Sequence, residues 1–205
     1  MTPRAYHLGR RQAVVDRTRA RILAAARAVL LAPPRRAQFS IDAVARHARV
    51  TRATVYHHFG SRTKLLEALF DDLAARGGMW DLADAFRQPD PEQGLARYVA
   101  TFGRFWTAYR QLHRRLRALA ALDPALDRTL QARQEWRRES LRALVERLRK
   151  QHALAAELDE TIDVLFTLTG FETFDTLAGA QRRPADVTAV VLRLARAASG
   201  LNQMS

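Results

Sequence analysis

Apolar residues recur along this chain three and four positions apart, the spacing of helices, rather than in the alternation of half-buried strands. The first run, Ile22, Leu23, Ala26, Val29 and Leu30, predicts a helix from Asp16, whose carboxylate can cap it, to about Ala32, where Pro33-Pro34 stops it. Ser40 then caps a short helix with Ile41, Val44, Ala45 and Ala48 on one side. A tight turn at Arg49-Val50 follows, and Thr51 caps the next helix, which carries Val55 and Phe59 inward. Gly60-Ser61 breaks the pattern, and Leu65, Leu66, Leu69, Phe70 and Leu73 mark another helix that ends at Gly77-Gly78.

Past Met79 the predicted helices lengthen. Asp90-Pro91-Glu92 opens one that carries Tyr98, Phe102, Phe105, Trp106 and Tyr109; Asp123-Pro124 punctuates; Leu141, Leu144, Val145 and Leu148 line a helix from Ala125 to Gln151. From Asp159 to Leu177 the pattern predicts a single helix apolar on more than one face, through Ile162, Leu165 and Phe166 and also Val164, Leu168 and Phe171, which calls for two packing partners. Pro184 opens the last helix, with Val187, Val190, Val191 and Leu194. The expectation is an all-α chain of about nine helices in three parts: a basic flexible arm over 1–15 with Arg4, Arg10 and Arg11, a unit of short helices over 16–78, and a larger helical unit over 79–205.

Composition narrows the function. The absence of cysteine excludes disulfides, thiolate metal sites and cysteine nucleophiles. No run has the length of a membrane span or the layout of a signal peptide, so a cytoplasmic chain without membrane partners is expected. The formal charge of +13 is uneven: residues 1–78 carry fifteen Lys/Arg against five Asp/Glu, the remainder nineteen against sixteen. A genome-wide arginine bias would act on both parts alike. An excess confined to one unit is the footprint of a module that meets a polyanion.

Two short helices joined by a tight turn suit a major groove. Val44, Ala45, Val50 and Val55 can lock them together, leaving Arg52, Thr54, Tyr56, His57 and His58 on or near the free side of the second. Arginine reads guanine edges, threonine suits bases or phosphate, and tyrosine and histidine reach phosphate oxygens. The segment "SIDAVARHARVTRATVYHHFGSRTKLLEAL" resembles the DNA-binding domain of the TetR-family regulators, over about Arg19 to Leu73. Its most specific part is Thr-x-x-Thr-Val-Tyr-x-His-Phe, Thr51 to Phe59, followed by Gly60, Ser61 and a basic residue.

The resemblance implies a three-helix DNA-binding domain with a linking fourth helix, followed by a helical ligand-binding and dimerisation domain. It assigns Ser40 to phosphate, Thr51, Arg52, Ala53 and Thr54 to bases or nearby backbone, and Tyr56 and His57 to phosphate. Arg62, in the place of the family's usual lysine, is assigned to the DNA backbone, with Lys64 an extra positive charge. The family commonly has glycine where this chain has Arg49, so a left-handed turn kept here costs about 1 kcal/mol. The last two predicted helices, 159–178 and 184–198, resemble the family's dimerisation pair, which makes Ile162, Phe166, Val187, Val190, Val191 and Leu194 the candidate interface. The partners implied are a pseudo-palindromic double-stranded operator, a small-molecule effector and a second copy of the chain.

Phe59 reads as core, whereas Tyr56 lies on the polar side. His57-His58 lacks the spacing and companions of a metal site, and neither a metal nor a cofactor is expected. Phe102, Phe105, Trp106 and Tyr109, with Trp80, Trp136, Phe166 and Phe171, suit ordinary packing or the effector pocket that the resemblance implies. Extended backwards, the line of Leu141, Leu144 and Leu148 meets Gln134 and Arg137, so polar groups face inward there unless drift of phase leaves them in solvent. A buried Arg137 would need an anionic partner. No nucleophile elbow, phosphate-cradling loop or dinucleotide fingerprint occurs, so no enzyme is expected. The leading expectation is a ligand-responsive repressor; an activator or ligand-independent regulator of the same fold, a general DNA-coating protein and a helical enzyme are the rivals.

Overall fold

A computed structural model describes residues 4–32 and 39–201, with side chains from Gln12 onward. Among these residues the chain forms eleven α-helices and no strand: α1 (Arg4–Leu31), α2 (Ile41–Ala48), α3 (Arg52–Phe59), α4 (Arg62–Arg76), α5 (Leu82–Arg87), α6 (Pro91–Ala108), α7 (Arg110–Ala120), α8 (Pro124–Gln151), α9 (Leu158–Leu168), α10 (Phe171–Ala178) and α11 (Thr188–Ala198). Two 3-10 turns, Met79–Asp81 and Pro184–Val187, lead into α5 and α11. Met1 to Pro3, and 33–38 with Pro33, Pro34, Arg35 and Arg36, lie outside the described residues.

The all-α class is as expected, and three places add to the eight helices traced residue by residue in the sequence. A short α5 precedes α6, a break at Tyr109 separates α6 from α7, and the stretch expected as one helix from Asp159 to Leu177 divides at Thr169-Gly170. The N-terminal end also differs, because α1 begins at Arg4 and the backbone expected as an arm is helical. Asp16 therefore sits within the helix, where its carboxylate accepts a hydrogen bond from Gln12 Nε2 one turn earlier at 2.9 Å.

Side-chain caps fix the starts of α2, α3, α4, α6 and α8. Ser40, Thr51 and Ser61 accept from the backbone N–H three residues on, at 3.2, 3.1 and 3.1 Å. Asp90 accepts from Glu92 N–H, and Asp123 from Ala125 and Leu126 N–H, ahead of Pro91 and Pro124, each proline standing where no intrahelical N–H is needed. Between α2 and α3, Arg49 adopts φ 53° and ψ 49°, and Val50 N–H closes back onto Ala45 O at 3.0 Å. This left-handed closure reverses the chain sharply enough to set α3 against α2. Among the described residues Arg49 is the one non-glycine with positive φ.

Two apolar cores result. The first joins α1 to α4 (Ile22, Ala26, Val44, Val55, Leu65, Leu66 and Leu69) with Leu112 and Leu116 of α7 and Leu126 and Leu130 of α8. The second unites α5, α6 and the later part of α8 with α9 to α11, and Tyr109 packs against both. The boundary expected near Met79 is thus not a packing boundary, since α7 and the start of α8 close the base of the N-terminal unit. With 28 residues, α8 is about 42 Å long and runs through both cores.

Arg49→Gly is expected to stabilise the chain by about 0.5–1 kcal/mol. Relief of the left-handed penalty, ~1–2 kcal/mol, exceeds the added entropy of a glycine in the unfolded chain, ~0.4–1 kcal/mol. Urea denaturation followed by circular dichroism checks it, and a lowered midpoint contradicts the reading.

Candidate nucleic-acid interface and cavity

On α3, Val55 and Phe59 are buried while Thr51, Arg52, Ala53, Tyr56 and His57 are exposed. The face is ordered by its own contacts. Thr51 and Thr54 hydroxyls lie 2.8 Å apart. The Arg52 guanidinium stacks over the Tyr56 ring at 5.4 Å, donates to Tyr56 Oη at 3.3 Å and pairs with Asp42 at 3.2 Å. Asp42 thus holds Arg52 on the surface and would have to release it before the guanidinium reached a base edge. His58 turns inward beside Phe59, and burial, followed by the positive neighbours His57 and Arg19, holds its pKa below the ordinary value.

Ser40 and Lys64 flank this face. Ser40 Oγ accepts from Ala43 N–H, which leaves its own proton free to donate, and Lys64 is exposed. Arg62, which the resemblance assigns to the DNA backbone, is engaged within the protein. Its guanidinium makes a two-pronged pair with Asp123, donates to Phe39 O at 3.3 Å and lies over the Phe39 ring at 5.3 Å. Because Asp123 is also the cap of α8, this contact braces the start of α4 against the larger unit. The hydrogen bonds from Arg62 hold the Asp123 carboxyl below its usual range.

A cavity of about 360 Å³ lies between α4, α6, α7, α8 and the start of α10. Six of the eight residues expected at a ligand site line it: Phe102, Phe105, Trp106, Gln134, Arg137 and Phe171. Tyr109 is outside it, packed between the two cores, and Phe166 stands behind Arg137, its ring 3.7 Å from the guanidinium. The largely exposed Trp80 and Trp136, grouped with the aromatic cluster in the sequence, border the space. Phe70, Asp71, Ala74 and Ala75 of α4, with His113, Arg117 and Arg133, were not foreseen as wall. Gly77 makes the close approach possible, since a Cβ there would stand 2.5 Å from the Phe105 ring.

Arg137 is 5% exposed, so the solvent reading of this position is overturned. The reason lies in the break between α9 and α10. Ending α9 at Leu168 leaves carbonyls without helical partners, and non-local donors satisfy them: Arg137 Nη1 bonds Phe166 O at 2.8 Å, and Trp106 Nε1 bonds Thr169 O at 3.1 Å. Arg137 also donates to Thr169 Oγ1 at 2.9 Å and to Gln134 Oε1 at 3.0 Å, with no carboxylate bonded to it among the described residues. Burial lowers its pKa to about 10. Beneath it, the buried Tyr98 hydroxyl meets Arg137 O and Ser140 Oγ, each at 3.2 Å, and burial raises the phenol to about 12.

His113 sits among Phe105, Trp106 and Phe171, with ring centroids 5.4, 4.6 and 5.2 Å away. Its Nε2 is buried without a hydrogen-bond partner among the described residues, and burial drives the pKa down to about 3. The ring is therefore neutral at ordinary pH.

Of the residues expected at a dimer interface, Ile162, Val187 and Val191 are fully buried in the protomer's own second core. Their apolar character is spent internally, because α11 packs on α6 and α9. Phe166 and Val190 are half-buried, and Leu194 is 42% exposed.

Residues 22–69 match the family model for bacterial regulatory proteins of the tetR family. No curated protein sequence gives a match. Among solved structures, the fold is similar to a TetR-like transcriptional regulator from Rhodococcus sp. RHA1, at 22% identity and a TM-score of 0.63, covering 91% of this chain and 97% of that one. It is also similar to the transcriptional regulator FadR from Bacillus subtilis in complex with stearoyl-CoA, at 15% identity and TM-score 0.62, covering 86% and 96%. The fatty acid degradation regulator FadR from Bacillus halodurans gives 18% identity and TM-score 0.62, covering 87% and 94%. Among the described residues, no helix is long and apolar enough to cross a membrane.

The neutral, buried His113 makes a pH prediction. Its folded pKa of about 3 lies below the ordinary value, so between about pH 3 and 6.5 the unfolded chain binds more protons and stability falls as pH falls. In His113→Gln the slope of stability against pH near pH 5 is expected to diminish by close to one proton. Urea titrations at pH 4.5 to 7.5 check it, and an unchanged slope counts against a buried neutral ring.

Proposed function

We propose that the chain, whose residues 22–69 match the tetR-family model, is a homodimeric repressor of that family that releases its operator when a small molecule fills the cavity. The observation that carries the reading is the capped α2–α3 pair. It buries Val55 and Phe59 and turns Arg52, Tyr56 and His57 outward on a unit with a strong basic excess. Arg52 and Thr54 read bases, Ser40, Tyr56, His57 and Lys64 anchor phosphates, and Arg62 braces α4 against α8 instead of touching DNA. A two-fold pair of such heads would read half-sites about one helical turn, ~34 Å, or a multiple apart.

The effector part of the proposal rests on α4. Leu65, Leu66, Leu69 and Leu73 hold this helix in the DNA-binding core, while Ala74 and Ala75 of its last turn face the cavity. An occupant that favours one position of α4 therefore changes the spacing of the reading heads, provided its affinity differs between the two states. The solved relative bound to stearoyl-CoA is a regulator of this fold that takes a small molecule. An activator would share all these features, and transcription of a reporter from the selected operator separates the two.

Selection of bound duplexes from a random pool is expected to enrich a pseudo-palindrome, and enrichment of nothing beyond general DNA binding contradicts the reading. On the enriched site, Lys64→Ala should weaken every sequence alike and lower the salt slope by about one, and Tyr56→Phe should weaken all sequences without altering that slope. Arg52→Ala should cost about 1–3 kcal/mol and relax preference at one base pair. Fluorescence anisotropy measures all three.

For the dimer, Leu194, Val190 and Phe166 are the members of the expected set left at or near the surface of the protomer. Leu194→Glu is expected to halve the mass seen by light scattering at micromolar concentration while keeping the helical spectrum. A dimer of unchanged stability moves the interface elsewhere.

A further inference from the structure

Arg137 is a buried cation whose compensation within the protein is incomplete. The broken end of α9 offers Phe166 O and the Thr169 hydroxyl, and such a helix terminus supplies about half an elementary charge. Gln134 supplies a neutral oxygen. The carboxylate whose charge is felt at Arg137, Glu172, is itself bound by Arg117. Nη2 of Arg137 meets no acceptor among the described residues, and the residue lines the cavity. A guanidinium largely withdrawn from water without an anion beside it is costly, a deficit that an anion entering the cavity would meet.

The rest of the wall is consistent with one charged end and an apolar body. Phe102, Trp106 and Phe171 surround the space, and His113 adds a ring whose buried Nε2 has no hydrogen-bond partner among the described residues. At about 360 Å³ the cavity has room for on the order of a dozen non-hydrogen atoms, at ~30 Å³ each.

We propose that the occupant is an anionic amphiphile of about that size, its carboxylate or phosphate head paired with Arg137 and its apolar body laid along the aromatic wall. This rests on the reading of the cavity as the effector site, and it narrows the effector from any small molecule to one with a negative head.

The chain provides its own reporter, because its three tryptophans, Trp80, Trp106 and Trp136, all line the cavity. The full chain is titrated, below micellar concentrations, with decanoate, decyl phosphate, decanol and decylamine while tryptophan emission is followed. One or both anions are expected to bind at least tenfold more tightly than decanol, with decylamine weakest, and the tighter anion identifies the head. Arg137→Met is expected to abolish the anion preference, so that decanoate and decyl phosphate bind no more tightly than decanol, and Arg137→Lys to restore part of it. If Arg137→Met does not fold, the ranking on the unaltered chain still decides. Decanol or decylamine binding as tightly as the anions overturns the proposal and leaves the cavity a ligand site of another kind. Emission unmoved by any of the four overturns both.

Discussion

The burial of α4 on two sides at once governs the architecture. One side supplies Leu65, Leu66, Leu69 and Leu73 to the core beneath the reading head, and its end closes the cavity with Phe70, Ala74 and Ala75. Ion pairs mark its length: Arg62 to Asp123 at the start, and Asp71 to Arg133 at 2.7 Å further along. These pairs are partly exposed and contribute little each to stability, whereas the leucines are fully buried. The pairs instead set where α4 lies along α8. On the proposed reading, a change in cavity volume would be felt by the helix packed beneath α2 and α3, because packed cores shift between discrete arrangements rather than deform smoothly.

A second constraint lies at the other wall. The break at Thr169-Gly170 frees backbone acceptors inside the second core, and they would be costly if unpaired. Arg137 from α8 and Trp106 from α6 satisfy them, and both then line the cavity. The same two side chains thus close a structural deficit and define the chemistry of the space. Fold and candidate site meet at this point, since α9 cannot end where it does without donors that the cavity also uses.

The features legible in sequence were those set by local chemistry. Ser40, Thr51, Asp90 and Asp123 announced helix starts because a capping side chain acts on its own next turn. The left-handed turn survived a glycine-to-arginine departure because Val50 N–H still closes on Ala45 O. What was not legible depended on distant partners. The α9–α10 break interrupts an unbroken apolar pattern and is held by donors from α6 and α8. Arg137 pointed inward along the line of Leu141 and Leu144, yet its partners are backbone carbonyls that no residue pattern reveals. Arg62 was assigned to DNA by analogy of position, whereas Asp123, 61 residues away, takes its guanidinium. Ile162 and Val191 were apolar for the protomer's own core, which periodicity cannot distinguish from a surface shared with a partner.

The central claim is that the reading head and the cavity are coupled through α4. No tryptophan lies in residues 1–78, and all three line the cavity, so their emission reports events at the head only if that coupling exists. Titration with the enriched operator, followed at once by anisotropy of the labelled duplex and by tryptophan emission, tests this directly. The account predicts a saturable change in emission that tracks DNA binding and that an equal concentration of non-binding duplex does not produce. Saturation of the anisotropy with emission unchanged throughout would contradict it.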